Sequence, residues 1–175
     1  KMKYIIEKGM DIGNHSYNHD NLKKDMKTKQ ARDAAFIQES LAKNIIATNE
    51  ILPGYEVDSL ALPYGEKPQG DLYNYVVKGS YEGVEYHHKG VLLVGSNPAQ
   101  SPYHVKADMA NIPRVRASEI ETYNTGLYDW LDYFDKHPEE RYISDGDPNT
   151  ISFPKELESD LNLDSVKGKI VQAYE

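Results

Sequence analysis

Two histidines stand four residues apart, His15 and His19, in the run Gly13-Asn14-His15-Ser16-Tyr17-Asn18-His19. A short segment, Lys8-Gly9-Met10-Asp11-Ile12, leads into it. On one turn of helix, positions four apart share a face. Two imidazoles on one face can hold a single divalent ion, and imidazole suits zinc, iron, cobalt or nickel. The competing reading is a pair of surface or capping histidines. No other stretch combines residue type, spacing and context in a way that points to chemistry.

Composition narrows the function classes. The 175 residues suffice for one domain with a sizeable core. The formal charge of −8, with no basic stripe to offset it, argues against nucleic acid and against an anionic membrane surface. No apolar run approaches a bilayer span, and residues 91–94 read as a buried strand. The absence of cysteine excludes disulfides and thiolate metal sites and leaves the redox compartment open. The 14 tyrosines against 3 phenylalanines suit a polar, aromatic-rich surface of the kind sugar-binding clefts have, and equally suit half-buried positions elsewhere.

The elements that must position the pair follow from periodicity and punctuation. Residues 4–8 read as the tail of a helix capped by Gly9. A domain seldom starts there, so further sequence is expected before Lys1. Residues 28–52 read as one amphipathic helix, with Ala34, Ile37, Leu41, Ile45 and Thr48 on one side, stopped by Pro53-Gly54. Residues 59–62, 91–94 and 112–115 are strand candidates, and residues 69–78 and 126–136 are helix candidates. Ser118 with Glu121 has the form of a capping box opening a further helix. Strands alternating with helices indicate an α/β fold with parallel strands. Residues 1–155 are assigned to this body and the charged residues 156–175 to a C-terminal appendage.

The run Gly9-x-Asp11-Ile12-Gly13-Asn14-His15-Ser16-x-x-His19, followed by Asn21-Leu22, resembles the metal-binding motif of the polysaccharide deacetylases, the NodB-homology family. The long helix and the segment Leu62-Pro63-Tyr64-Gly65 follow in that family's order. The resemblance implies a distorted (β/α) barrel, incomplete at the N-terminus, with its site at the carboxyl ends of the strands. It implies a hydrolase that removes acetyl groups from N-acetylated sugars of a peptidoglycan- or chitin-like polysaccharide, at the cell surface or outside the cell. It further implies zinc or another divalent metal held by His15, His19 and an aspartate expected upstream of Lys1. The Tyr64 backbone N–H would be the oxyanion donor. Pro63, Gly65, Arg114 and Trp130 would contact substrate.

Three features depart from the family pattern. The aspartate pair that supplies a metal carboxylate and the general base is not in this chain. Ala61 stands where an arginine that orients the base is usual, and no Leu-x-His follows the last strand candidates. Arg114 or Asp108 is expected to take over part of the orienting role. These departures also favour an alternative, a catalytically impaired relative that binds glycan or metal without turnover.

The remaining candidates have plainer readings. His87-His88 reads as a solvated loop, His104 as a loop residue, and Asp129, Asp132 and Asp135 as a solvated helix face. Asp145-Gly146-Asp147-Pro148-Asn149 starts like a calcium loop, but Thr150 stands where that loop needs glycine. Trp130 with Tyr128 and Tyr133 either lines a sugar groove or packs with Phe134 into the core.

Overall fold

Parallel pairing in strict chain order runs through the first part of the fold. In this computed structural model, Asn14 bridges Leu60, the strand β1 (Ser59–Ala61) pairs with β4 (Gly90–Leu92), and Leu92 bridges Ile112, every pair parallel. The structure describes residues 1–118, 120, 123–141 and 146–174. They gather into two units, Lys1–Val94 with Met109–Ile112, and Gly95–Asp108 with Pro113–Glu175.

In the first unit, α1 (Met2–Glu7) ends before Gly9, whose φ of 74° is the left-handed conformation of a helix terminus. Helix α2 (Ala34–Ile51) buries Ile37, Leu41, Ile45 and Thr48, the face that periodicity marks. Ile37, Leu41 and Ile45 join Leu22, Leu60, Leu62, Val76 and Val91 in one core. A hairpin of β2 (Lys78–Tyr81) and β3 (Val84–His87) turns on Glu82 and Gly83, both at positive φ, as a two-residue primed turn requires.

Several expectations need correction. The long helix starts at Ala34 rather than residue 28, because the Asp33 carboxylate accepts the Phe36 N–H at 2.8 Å and so caps it there. The preceding residues instead form a turn closed by the Lys24–Ala31 bridge, with Lys29 at φ 62°. Residues 69–78 divide into a 3-10 turn (Gly70–Tyr73), the short α3 (Asn74–Val77) and the start of β2. The strand expected over residues 112–115 is reduced to the bridge at Ile112. Among the described residues the sheets are three two-stranded pairs, and no closed barrel forms, so the fold is mixed α/β.

The second unit contains α4 (Leu127–Lys136) and a parallel pair, β5 (Thr150–Pro154) with β6 (Ile170–Tyr174). Residues 156–175 contribute most of a 3-10 turn (Lys155–Asp160) and all of β6 to it. Ser118 Oγ accepts the Ile120 N–H at 3.1 Å, while Glu121 of the expected capping box lies outside the described residues. Asp145 of the calcium-like run also lies outside them, and Asp147 is engaged in a local turn, accepting the Asn149 N–H at 2.9 Å.

Leu41 is fully buried at the centre of the first unit's core. Leu41→Ala is expected to destabilise it by about 2–5 kcal/mol, measured as a shift of the urea midpoint at unchanged slope.

Candidate functional site

The histidine run is not helical. Asn14 donates its backbone N–H to Ser59 at 2.7 Å and accepts from Ala61 N–H at 2.9 Å, so this residue is laid against β1 as a strand neighbour. Gly13 permits the approach, since a Cβ there would sit 2.6 Å from Ser59 Oγ and 3.2 Å from the Ser59 carbonyl oxygen. The Asn14 side chain then turns the chain. Its Oδ1 accepts the Ser16 N–H at 2.9 Å, and Ser16 and His19 both take positive φ. This tight turn, rather than a helical face, brings the imidazoles together, with ring centroids 4.8 Å apart. The expected helix therefore fails while the expected proximity holds.

Helix α2 holds the loop from behind. Asn14 Nδ2 donates to the Leu41 carbonyl at 3.0 Å, Asn44 Nδ2 donates to the Ser16 carbonyl at 2.9 Å, and Ser40 Oγ donates to Asp20 Oδ2 at 2.5 Å. Ser16 Oγ accepts the Asp20 N–H at 2.6 Å. Asn14 and Ser16 are almost fully buried, whereas His15 and His19 are exposed, so a rigid base presents two accessible rings.

Proton placement on His15 follows from its partner. Nδ1 lies 2.5 Å from the Ala61 carbonyl oxygen, which can only accept, so Nδ1 carries the hydrogen and, in the neutral ring, Nε2 keeps the lone pair. A backbone carbonyl that fixes the tautomer and orientation in this way is the usual outer support of a metal-binding histidine. Ala61, lacking the arginine that the motif suggests, serves through its main chain.

Tyr64 stands beside the pair. It lies in the 3-10 turn Pro63–Gly65 at φ 59°, its ring centroid 4.6 Å from that of His19. Gly65 is required there twice over, by a φ of 65° and by Val94, whose Cβ a side chain would meet at 2.7 Å. Glu66, next along, accepts from Lys24 Nζ at 2.8 Å and from Asn21 Nδ2 at 3.1 Å, tying this turn to the histidine loop. Those two donors hold the Glu66 carboxyl below the usual carboxylate range.

His88 overturns the solvated-loop reading. It is buried, with Nδ1 donating to the Val76 carbonyl at 2.7 Å and Nε2 accepting from Asn14 Nδ2 at 3.2 Å. Burial holds its pKa below the ordinary value. The adjacency of His87 and His88 at a strand end signals alternation, one ring out and one in, but not which ring is buried.

His15, His19, Pro63, Tyr64 and Gly65 thus come together in the first unit. Arg114, Asp108 and Trp130 belong to the second. Arg114 is exposed, and its carbonyl accepts the Gly95 N–H at 3.2 Å. Trp130 donates its indole N–H to the Ser96 carbonyl at 2.6 Å and packs beside Tyr133 and Phe134. His104 is half-buried, its Nδ1 accepting the Lys106 N–H at 2.9 Å. Among the described residues, no carboxylate joins His15 and His19 to make a three-ligand group. One such group does form, from His137, Glu139 and Glu140, with donor atoms all within 4.8 Å of one another.

Residues 1–79 match the family model for polysaccharide deacetylase. The match spans the histidine loop, α2, β1 and the Pro63–Gly65 turn, and it supports a partial polysaccharide deacetylase relative. No curated protein and no solved structure matches the chain.

Because His88 is held neutral when folded, the unfolded chain binds more protons below the ordinary pKa of 6.5. The contribution of His88 to stability is therefore complete above that value and lost as pH falls beneath it. Lowering the pH from about 7 to about 5 is expected to reduce the urea midpoint, and His88→Gln, which keeps a donor and an acceptor but does not titrate, to reduce that dependence.

Proposed function

We propose that residues 1–79 form the metal-binding part of a polysaccharide deacetylase, and that the protein removes acetyl groups from N-acetylated sugars of a cell-wall or exported polysaccharide. The proposal places it outside the cell or at the cell surface. The observation that carries the reading is the bond from His15 Nδ1 to the Ala61 carbonyl, beside a second accessible imidazole. One ring nitrogen is committed to the main chain, and the other is left as a ligand.

The residues fit a divalent metal. His15 and His19 would hold zinc or a similar ion, together with a carboxylate that the described residues do not place beside them. Two nitrogens and one carboxylate leave open positions, and an ion so bound supplies Lewis acidity toward an acetyl carbonyl and toward water. The chain's own residues do the rest. The Ala61 carbonyl keeps His15 in one tautomer. Asn14 and α2 keep the loop from relaxing, which holds the ligands in place before binding. The backbone N–H of Tyr64, set by its left-handed conformation, would donate to the developing oxyanion. Pro63 and Gly65 shape the rim of that donor. The parallel succession from Asn14 through β1 and β4 to Ile112 supports a reading as part of a larger (β/α) barrel.

The test is metal content by elemental mass spectrometry, on this chain and on a His15→Ala, His19→Ala double variant, followed by acetate release from N-acetylglucosamine oligomers. Near-stoichiometric divalent metal in the parent, lost in the variant, is expected, with acetate release that chelation abolishes. Bound metal without acetate release would favour the glycan-binding, catalytically impaired relative that Ala61 suggests. Absence of metal from parent and variant alike would overturn the metal centre.

A further inference from the structure

The second unit carries a cleft of its own, outside the family match. It has a volume of 620 Å³ and is lined by residues of that unit alone, among them Tyr103, Trp130, Phe134, Phe153, Glu139 and Glu140. Apolar walls with a few placed polar groups and a volume in this range are the usual form of a small-ligand site.

Three observations set the chemistry of the ligand. The first is charge. The second unit contains 8 lysines and arginines against 15 aspartates and glutamates, a net of −7, whereas the first unit has 12 against 13, a net of −1. Nearly all of the chain's net negative charge thus lies in the unit that holds the cleft, and such a field favours a cation. The second is the state of the lining carboxylates. Arg141, the one arginine or lysine among the described residues that line the cleft, is ion-paired with Asp135 and donates from Nε to the Phe134 carbonyl at 2.8 Å. Glu140 is oriented by the Tyr133 hydroxyl, which donates to its two oxygens at 2.9 and 3.0 Å and adds no positive charge, while Glu139 Oε1 lies 3.3 Å from His137 Nδ1 and Asp160 Oδ2 lies 3.8 Å from His104 Nε2. The third is the aromatic platform. The bond from Trp130 to the Ser96 carbonyl fixes the indole, and an indole face attracts both the C–H face of a sugar and an adjacent ammonium.

We propose that this cleft binds a sugar bearing a free ammonium group, that is, a glucosamine-type unit of a deacetylated polysaccharide. The sugar ring stacks on Trp130, and the ammonium is held by Glu139 and Glu140. This identification of the ligand rests on the deacetylase reading, because hydrolysis of an N-acetyl group leaves this amine on the polymer. An N-acetylated unit carries no charge and gains nothing from the two carboxylates.

The chain contains a single tryptophan, so its intrinsic fluorescence reports on this cleft. The experiment titrates the chain with a short glucosamine oligomer and with its fully N-acetylated counterpart, in the presence of a chelator. A saturable fluorescence change with the amine form alone is expected, weakened by added salt. In a Glu139→Gln, Glu140→Gln double variant the affinity is expected to fall about tenfold or more, the loss of charge-assisted hydrogen bonds at exposed positions where the fold is not at risk. A response to the acetylated oligomer of equal strength would overturn the proposal. So would no response, an unchanged response in the variant, or a response that appears only when a divalent cation replaces the chelator. The same titration on the His15→Ala, His19→Ala variant is expected to match the parent, so loss of the metal centre and loss of the cleft's ligand are read separately.

Discussion

The geometry at the histidine pair depends on one buried amide. Asn14 exchanges two main-chain hydrogen bonds with β1, while its side chain bonds the Ser16 N–H, the Leu41 carbonyl and His88. A buried amide left unpaired costs about 1–3 kcal/mol, so these partners must all be met together. Meeting them fixes the position of β1, of α2 and of the loop at once. The left-handed backbone at Ser16, unfavourable for a residue with a Cβ, is tolerated because the surrounding bonds over-determine it. The imidazoles are then carried on a frame that does not have to form when a ligand arrives.

The same frame sets the support of His15, because the Ala61 carbonyl that receives His15 Nδ1 is a main-chain group of β1. The main-chain contact depends on strand register, which the pairs Ser59 with Gly90 and Leu60 with Val91 set. Register is strongly specified because Leu60 and Val91 are both buried, and a slip of one residue would turn them to the surface.

The two units divide the chemistry. The first is nearly neutral and presents histidines on a rigid turn. The second is strongly acidic and surrounds an aromatic cleft with carboxylates. The family match ends at residue 79, inside the first unit, so the second unit's properties follow from its own residues.

Local rules carried much of the reading by sequence. The Ile37, Leu41, Ile45 spacing marked the buried face of α2, Gly9 marked the end of α1, and the apolar run at residues 91–94 marked the strand that became β4. These are short-range consequences of periodicity and of glycine's freedom at positive φ. Histidine spacing likewise marked a pair that converges, although for the wrong local reason. Spacing states only that four residues separate the rings, and the choice between a helical turn and a tight loop lay with Ser59, Leu41 and His88, which are remote in sequence from Asn14. Periodicity extends α2 six residues too far toward the N-terminus, because the turn closed by Lys24 and Ala31 and the cap by Asp33 place its start at Ala34. The burial of His88, the service of the Ala61 carbonyl and the gathering of Trp130 with Tyr103 and Phe153 each need contacts between distant segments. A one-dimensional pattern carries propensity and periodicity, whereas partners for buried polar groups are chosen only when the elements pack.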